Sequence, residues 1–334
     1  MAPLSNLDLV KQVDVIPYEP ELVAKAFPEP LYTLLHQTST GDQTIGYMLS
    51  SVVKSLLSIP ESVRGQVKVD DASKTVRAFD LPTETERTQV VANVMNYWRE
   101  KGPWEIVRNW RNEPWPVYGN NDDLLYSVER AGAGLLGVMR YGVHMNGYVK
   151  DEGSAHGIKL WVPRRSETKS NYPRMLDNTV AGGLMTNEDP FECIVREADE
   201  EANLPETLMR EHCKTAGTVV YLYITDERAG GEKYLVYPET QWVFDIELPV
   251  DTIPTPKDGE VEDFYLWTVE QVQEAMARGE FKPNCALVLI DFFIRRGILT
   301  RENEPNYDEI VRRMHRKVLL PGPHQTARPS ISVS

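Results

Sequence analysis

Apolar and polar positions in the first 125 or so residues follow no single period. LYTLLHQ and IGYMLSSVVKSLL are dense in apolar residues and read as helical or buried segments. TETERTQVVANVMNYWREKG brings Val90, Val94, Tyr97 and Trp98 back at spacings of three and four, the signature of an amphipathic helix. An aromatic stretch, PWEIVRNWRNEPWPVYG, then sets Trp104, Trp110, Trp115 and Tyr118 among turn formers. After NNDD the period drops to two. YGVHMNGYV (141–149) and IKLWVPRRS (158–166) alternate as strands do and are joined through a glycine-containing turn. A short strand, NTVAGG, ends at Gly182 and Gly183, and DPFECIVREADEEANL predicts a helix with Asp189 as N-cap and Pro190 at its first position. Two strand-like runs come next, GTVVYLYIT and KYLVYPETQWVFDIEL. TVEQVQEAMARGE is helical and opens with a capping box of Thr268 and Gln271. NCALVLIDFFIRRGIL is an apolar helix with a basic last turn, and the tail PGPHQTARPSISVS is expected to be disordered.

This order of elements describes an α/β fold: an α/β/α sandwich with a mixed sheet over 138–300, preceded by a smaller α+β N-terminal domain over 1–137. Residues 301–334 form a C-terminal helix and disordered tail in this reading. With 41% hydrophobic and 26% charged residues in 334, the chain has enough apolar content for a proper core. The net charge of −14 repels phosphate backbones and anionic membranes, so nucleic-acid polymers and membranes are not expected partners. A small phosphorylated ligand stays open, because a bound divalent cation inverts the local field. Cys193, Cys213 and Cys285 are widely spaced and odd in number, which fits reduced core thiols. The acid-peppered N-terminus has no apolar run of signal-peptide type, and no stretch nears the ~18 apolar residues of a membrane span, so a cytoplasmic location is expected.

The chemistry concentrates around Gly182, Glu188 and the run Arg196-Glu197-Ala198-Asp199-Glu200-Glu201. On a helix Glu197, Glu200 and Glu201 fall at i, i+3 and i+4 and share one face, where like charges repel unless a cation relieves them. Carboxylate oxygens suit hard ions such as Mg²⁺ or Mn²⁺ and not zinc. Arg196 is placed to pair with Glu200 at i+4 or with Glu192 one turn back. Such an acidic run alone is usually a solvated helix face. The whole string, however, resembles the Nudix box, G-x5-E-x7-R-E-U-x-E-E-x-G-U, at Gly182, Glu188, Arg196, Glu197, Ala198, Glu200, Glu201, Asn203 and Leu204. Ala198 is small for its aliphatic slot, and Asn203 replaces a glycine at the helix end, where Asn is the best substitute for a left-handed conformation.

The Nudix resemblance implies an α/β/α hydrolase of phosphoric anhydrides. In such an enzyme Gly182, Glu197, Glu200 and Glu201 hold Mg²⁺ (or Mn²⁺), Arg196 orients carboxylates, and Glu188 supports the loop. A more distant glutamate often serves as base or extra ligand, and Glu260 and Glu262 in DGEVEDFYLW are the candidates here. The strings YGVHMNGYV, LWVPRRS, LDNTVAGG, DGEVEDF and FKPNCALVLIDF look like those of a eukaryotic Nudix group related to thiamine metabolism. In some fungi that module is fused in front of thiamine pyrophosphokinase. That likeness, which takes in TQVVANVMNYWREKG and ERAGAGLLGVMRYG, runs to about residue 299 and implies hydrolysis of damaged (oxo or oxy) thiamine diphosphate to the monophosphate. The stretch beyond residue 299 is too short to hold the kinase, so kinase activity is not expected.

One departure is Pro173-Arg174, where the group has Pro-Gly; Arg174 is a candidate phosphate contact. Arg164 and Arg165 are adjacent on a strand and point to opposite faces, so one of them is a candidate to meet the diphosphate, two surface arginines being the plainer reading. The N-terminal tryptophans are candidates for stacking on the substrate ring, against a plainer role in the core. His144 and His156 are read as structural. The alternatives are a diphosphatase for oxidised nucleotides of the 8-oxo-dGTP kind, an isopentenyl diphosphate isomerase, and a non-catalytic Nudix-fold binding module. Cys193 sits within the acidic helix and not on a pocket-facing strand, which speaks against the isomerase. The intact glutamates speak against the non-catalytic module. The expected partner is a small-molecule diphosphate, and the oligomeric state is left open.

Overall fold

The computed structural model describes residues 2–331. Two short helices, α1 (Asn6–Lys11) and α2 (Pro20–Val23), lead into β1 (Leu31–Thr38), β2 (Gly41–Leu49), α3 (Ser50–Ser58), α4 (Glu61–Arg64), β3 (Val67–Asp70) and β4 (Thr75–Ala78). The four strands form a sheet in the order β2-β1-β4-β3, with β1 and β4 parallel. LYTLLHQ is therefore a strand, and IGYMLSSVVKSLL is the end of a strand followed by α3. Tyr32 and Leu34 turn inward at period two, and the tight turn at Gly41, with φ of +131°, pairs Thr38 with Gly41 and closes the hairpin. Helix α5 (Glu84–Lys101) buries Val90, Val94 and Trp98 as its periodicity requires. The aromatic stretch then supplies β5 (Pro114–Tyr118), which pairs with β6 (Leu124–Glu129) ahead of α6 (Arg130–Leu136).

The second half holds β7 (Arg140–Lys150), β8 (Ile158–Arg165), β9 (Val180–Gly183), α7 (Pro190–Ala202), α8 (Glu206–His212), β10 (Cys213–Ile224), β11 (Val236–Glu247) and β12 (Val261–Thr268). Helices α9 (Val269–Ala277), α10 (Pro283–Arg295) and α11 (Tyr307–Met314) complete the chain order. The sheet order is β10-β11-β7-β8-β12, with β9 also paired to β7; only β11 and β7 run parallel. Strand β7 shows why helices cover both faces. Val143 and Met145 pack with Cys193 and Ile194 of α7 on one side, while Tyr148 meets Phe292 of α10 on the other, ring centres 5.8 Å apart. The result is a mixed-sheet α/β/α sandwich. One buried cluster runs from Leu34 and Trp98 through Val128 to Tyr221 and Phe292, so the N-terminal part and the sandwich share a core.

The tail is not disordered over its described length. It runs along the open edge of β10, with bridges Val220–His315 and Thr218–Pro329, and Ser330 donates to the buried Asp291. Val318 and Leu320 are buried, and His324 packs on Tyr141. A polar composition misleads here because the β10 edge offers unpaired backbone groups that a strand-like segment satisfies. The last three residues of that expectation lie outside the described part. No helix among the described residues is long and apolar enough to cross a membrane.

Candidate active site

Helix α7 is fixed at both ends. Asp189 accepts from the Phe191 and Glu192 N–H groups (2.8 and 3.3 Å), with Pro190 in the first turn. Asn203 closes the helix in the left-handed conformation (φ 53°, ψ 35°), and the Leu204 N–H returns to the Ala198 carbonyl at 3.0 Å. Ala198 is fully buried where a side chain packs on the sheet.

Between these caps Arg196 organises the acids. Its Nε donates to Glu188 (2.8 Å), and its Nη1 donates to both Glu197 and Glu200 (2.9 Å each). Glu192, the other partner open to it on spacing, is taken by Arg210. The second Glu188 oxygen accepts the Met185 N–H at 3.1 Å, which ties the loop before α7 to the helix. Gly182 explains itself: a Cβ there would overlap the Glu197 carboxyl. Glu201 accepts the Ala181 N–H of β9 at 3.1 Å, is buried, and has no ion-pair partner among the described residues. Burial, together with the repulsion between them felt at Glu201, holds the Glu197 and Glu201 carboxyls above the ordinary range.

These acids border a cavity of about 370 Å³, lined by Glu197, Glu200, Gly182 and Glu260 among others. Glu201 lies behind it. Its floor is the face of β7, β11 and β10 that carries Arg140, Tyr221, Tyr223, Tyr237, Glu239 and Gln241. Register builds that face, since Glu239 stands opposite Arg140 on β7 and Tyr221 on β10. Arg140 donates to Glu239 at 3.2 Å, and the Tyr221 hydroxyl donates to its other oxygen at 2.7 Å.

Oxygen-only donors fit a hard divalent ion, and the buried Glu201 carboxylate without a cationic partner is the local reason to bind one. The three α7 carboxylates do not yet converge. Glu197 and Glu200 share the Arg196 guanidinium instead. His144, Asp177 and Cys285 are the only three candidate donors among the described residues whose atoms lie within 4.8 Å of one another. That knot is filled, because Asp177 accepts from Arg165 (2.7 Å), Cys285 (2.6 Å) and the Asn178 N–H (2.9 Å).

Residues 142–285 match the NUDIX domain model, and residues 36–140 match a domain of unknown function (DUF4743). An uncharacterized protein of Saccharomyces cerevisiae is 37% identical over 321 residues, which is 95% of this chain and 92% of the yeast protein. The chain carries a Nudix domain behind a DUF4743 domain. The chloroplastic Nudix hydrolases 24 and 20 of Arabidopsis thaliana are 37% and 36% identical over 70% and 75% of this chain, and the matches span 60% and 62% of their own lengths. A Deinococcus radiodurans protein of known structure aligns with a TM-score of 0.37 at 20% identity, covering 53% of this chain and 97% of its own. Its Nudix domain makes this protein a hydrolase acting on pyrophosphate bonds.

The other candidates of the Nudix site part company. Glu260 lines the cavity; burial works to raise its pKa, but the bond to Lys169 outweighs this and keeps the carboxyl below its ordinary range. Glu262 is exposed on β12 and does not line the cavity; it sits at the register shift between Val261 and Asp263, where the regular alternation of the strand is broken. Arg165 reaches the cavity wall, yet its donors are committed to Asp177, the Tyr172 carbonyl and Asn171, so it clamps the loop after β8. Arg164 donates to the Arg174 carbonyl (2.7 Å) and lies over the Tyr265 ring, outside the cavity. Arg174 is exposed, pairs with Glu167 and does not line the cavity; its φ of +61° is the left-handed geometry that explains the glycine usual there. Trp115 lines the cavity, but Arg130 and Arg140 lie over its ring at 5.3 and 4.8 Å, leaving no open stacking surface. Trp98 and Trp104 are core, 6.3 Å apart and edge to face. Sequence reasoning missed Tyr221, Tyr223, Tyr237, Glu239 and Gln241, although their i, i+2 spacing already placed each strand's set on a single face.

Proposed function

We propose that this Nudix protein is a Mg²⁺- or Mn²⁺-dependent diphosphatase that converts a damaged (oxo or oxy) thiamine diphosphate to its monophosphate plus phosphate. The observation that carries the reading is the continuity of one cavity from the Glu197–Glu200 acids to the tyrosine-lined floor. A diphosphate at the acidic end places its organic group over Tyr221, Tyr223 and Tyr237. Those tyrosines, with the Tyr172 hydroxyl 2.9 Å from that of Tyr223, make a firm wall suited to a flat heteroaromatic ring. The extended sequence likeness to the thiamine-related Nudix group supports the same substrate.

Glu197, Glu200, Glu201 and the Gly182 backbone are the residues that would hold the ions. When bound, the ions supply charge stabilisation at the phosphate oxygens and a more acidic attacking water. Arg196 and Glu188 keep the carboxylates in register. Glu260, ionised beside Lys169 on the cavity wall, accepts the proton of the water that attacks the terminal phosphorus. The anhydride P–O bond then breaks and the monophosphate leaves with its ring still against the tyrosines. The test is a ranking of kcat/KM in Mg²⁺ for oxothiamine diphosphate, thiamine diphosphate, 8-oxo-dGTP and ADP-ribose. Oxothiamine diphosphate is expected first; a nucleotide ahead by a wide margin overturns the thiamine-related substrate and leaves the hydrolase intact.

A further inference from the structure

The cavity wall facing the α7 acids is built partly by the N-terminal domain. Trp115 of β5 and Arg130 at the start of α6 both line it. They press close on β9: a Cβ on Gly183 would crowd Trp115 at 2.9 Å and meet the Arg130 guanidinium carbon at 3.6 Å. Gly183 comes directly after Gly182, whose own missing side chain admits Glu197. Neighbouring strand positions face opposite ways, so Arg130 lies across β9 from Glu197, and its charge is felt at both Glu197 and Glu260.

The donors of Arg130 are only partly used. Nη1 donates to Glu113 at 2.7 Å, while Nε and Nη2 make no hydrogen bond among the described residues, and a third of the side chain stays accessible. Two other arginines of the cavity differ. Arg196 is spent on three carboxylates, and Arg165 is spent on the loop it clamps. The free Nε and Nη2 edge is the part of a guanidinium that matches two phosphate oxygens. Its guanidinium carbon lies 5.3 Å from the centre of the Trp115 ring, a cation–π contact that steadies the side chain.

We infer that Arg130 grips the substrate diphosphate from the side opposite Glu197 and Glu200, so that the N-terminal domain completes the hydrolase site. The inference rests on the proposed diphosphatase reading, and it gives the domain of unknown function a place in catalysis: it supplies a phosphate-binding arginine to the Nudix domain. A simple structural ion pair with Glu113 is the competing account.

The two accounts separate in the full-length protein with three variants: Arg130→Met, Arg130→Lys and Glu113→Gln. The readouts are calorimetric binding of methylenediphosphonate in Mg²⁺, which does not depend on turnover, and the split between kcat and KM on the cleaved diphosphate. Arg130→Met is expected to weaken methylenediphosphonate and raise KM by roughly 30-fold, kcat changing less, with Arg130→Lys in between because it keeps charge and loses the fork. Glu113→Gln removes the ion pair and keeps the guanidinium, so binding should stay within about twofold. Binding by Arg130→Met within twofold of wild type, or equal losses in Arg130→Met and Glu113→Gln, overturns the inference. Wild-type protein that binds methylenediphosphonate through Arg130 but cleaves no diphosphate would refute the proposed reaction and leave Arg130 as the anion-binding group.

Discussion

The Glu197 carboxyl lies in the space that a side chain on Gly182 would occupy, helix against strand with no atom between them. The contact couples β9 to α7 and sets where the acid points. Gly182→Ala must either push Glu197 away or part the two elements. Overpacking of this kind costs about 1–3 kcal/mol. Displacing a catalytic group by about an ångström costs on the order of 100-fold in rate. The expectation is a protein that still folds, with kcat/KM down about 100-fold. Denaturation and steady-state kinetics on one preparation check it, and unchanged kinetics would mean that the position of Glu197 does not matter to the reaction.

Glu200 is the most exposed of the three box glutamates, and its contact is the Arg196 guanidinium at 2.9 Å. Glu200→Gln keeps the shape and removes the charge. Metal-dependent phosphate release should fall by about 100-fold or more, with little change in stability because the lost ion pair is largely solvent-exposed. A binding module would show no such loss. In wild type, chelation with EDTA should abolish turnover and added Mg²⁺ should restore it. Metal at 100 times its dissociation constant should also raise stability by about 2.7 kcal/mol, read as a higher Tm. Full activity in EDTA would remove the metal from the account.

Asp177 sits in the knot beside the cavity, accepting from Arg165, Cys285 and the Asn178 N–H. Burial opposes its charge, but Lys282 and Arg165 outweigh burial and hold the carboxyl well below its usual range. Asp177→Asn leaves the Arg165 guanidinium buried without its counter-ion, a change that costs about 3–5 kcal/mol. Because Arg165 also holds the Asn171 and Tyr172 carbonyls, the loop between β8 and β9 should lose amide protection first. Urea titration and hydrogen exchange measure both. A loss under about 1 kcal/mol would show that the pair is dispensable.

The parts legible in the sequence are those where local rules act alone. Asp189 and Asn203 bounded α7 because capping depends on a few adjacent residues, and the period-two runs of β7 and β11 gave the central strands. The i, i+3, i+4 spacing put Glu197, Glu200 and Glu201 on one helix, but it did not show that Glu201 turns back to the Ala181 N–H while Arg196 bridges the other two. Arg164, Arg165 and Arg174 illustrate the harder part. Whether an arginine meets a ligand depends on which carbonyls and carboxylates the folded loop presents to it, and for Arg165 the loop presents enough to use it up. Arg130 escaped for the converse reason, since nothing near it in sequence reveals that β9 lies alongside. Period also failed at LYTLLHQ, where the apolar density hid an alternation that the Gly41 turn makes plain.

The docked tail offers a last test, one that depends on pH. His324 is buried, its Nδ1 lies 3.3 Å from the Tyr141 hydroxyl, and its Nε2 has no partner among the described residues. Burial lowers its pKa from 6.5 to about 4. The folded value is the lower one, so the unfolded or undocked tail takes up the proton first. The contribution is therefore complete above about pH 6.5 and is lost as pH falls towards 4, up to about 3 kcal/mol. Amide protection along 315–331 should decline between pH 7 and pH 5, while α5, which has no such histidine, holds its protection. His324→Phe keeps a ring against Tyr141 without a titrating group, so the decline over the same range should shrink to what His315 contributes, whose pKa burial also lowers. Equal pH dependence in wild type and His324→Phe would place the acid sensitivity of the tail elsewhere.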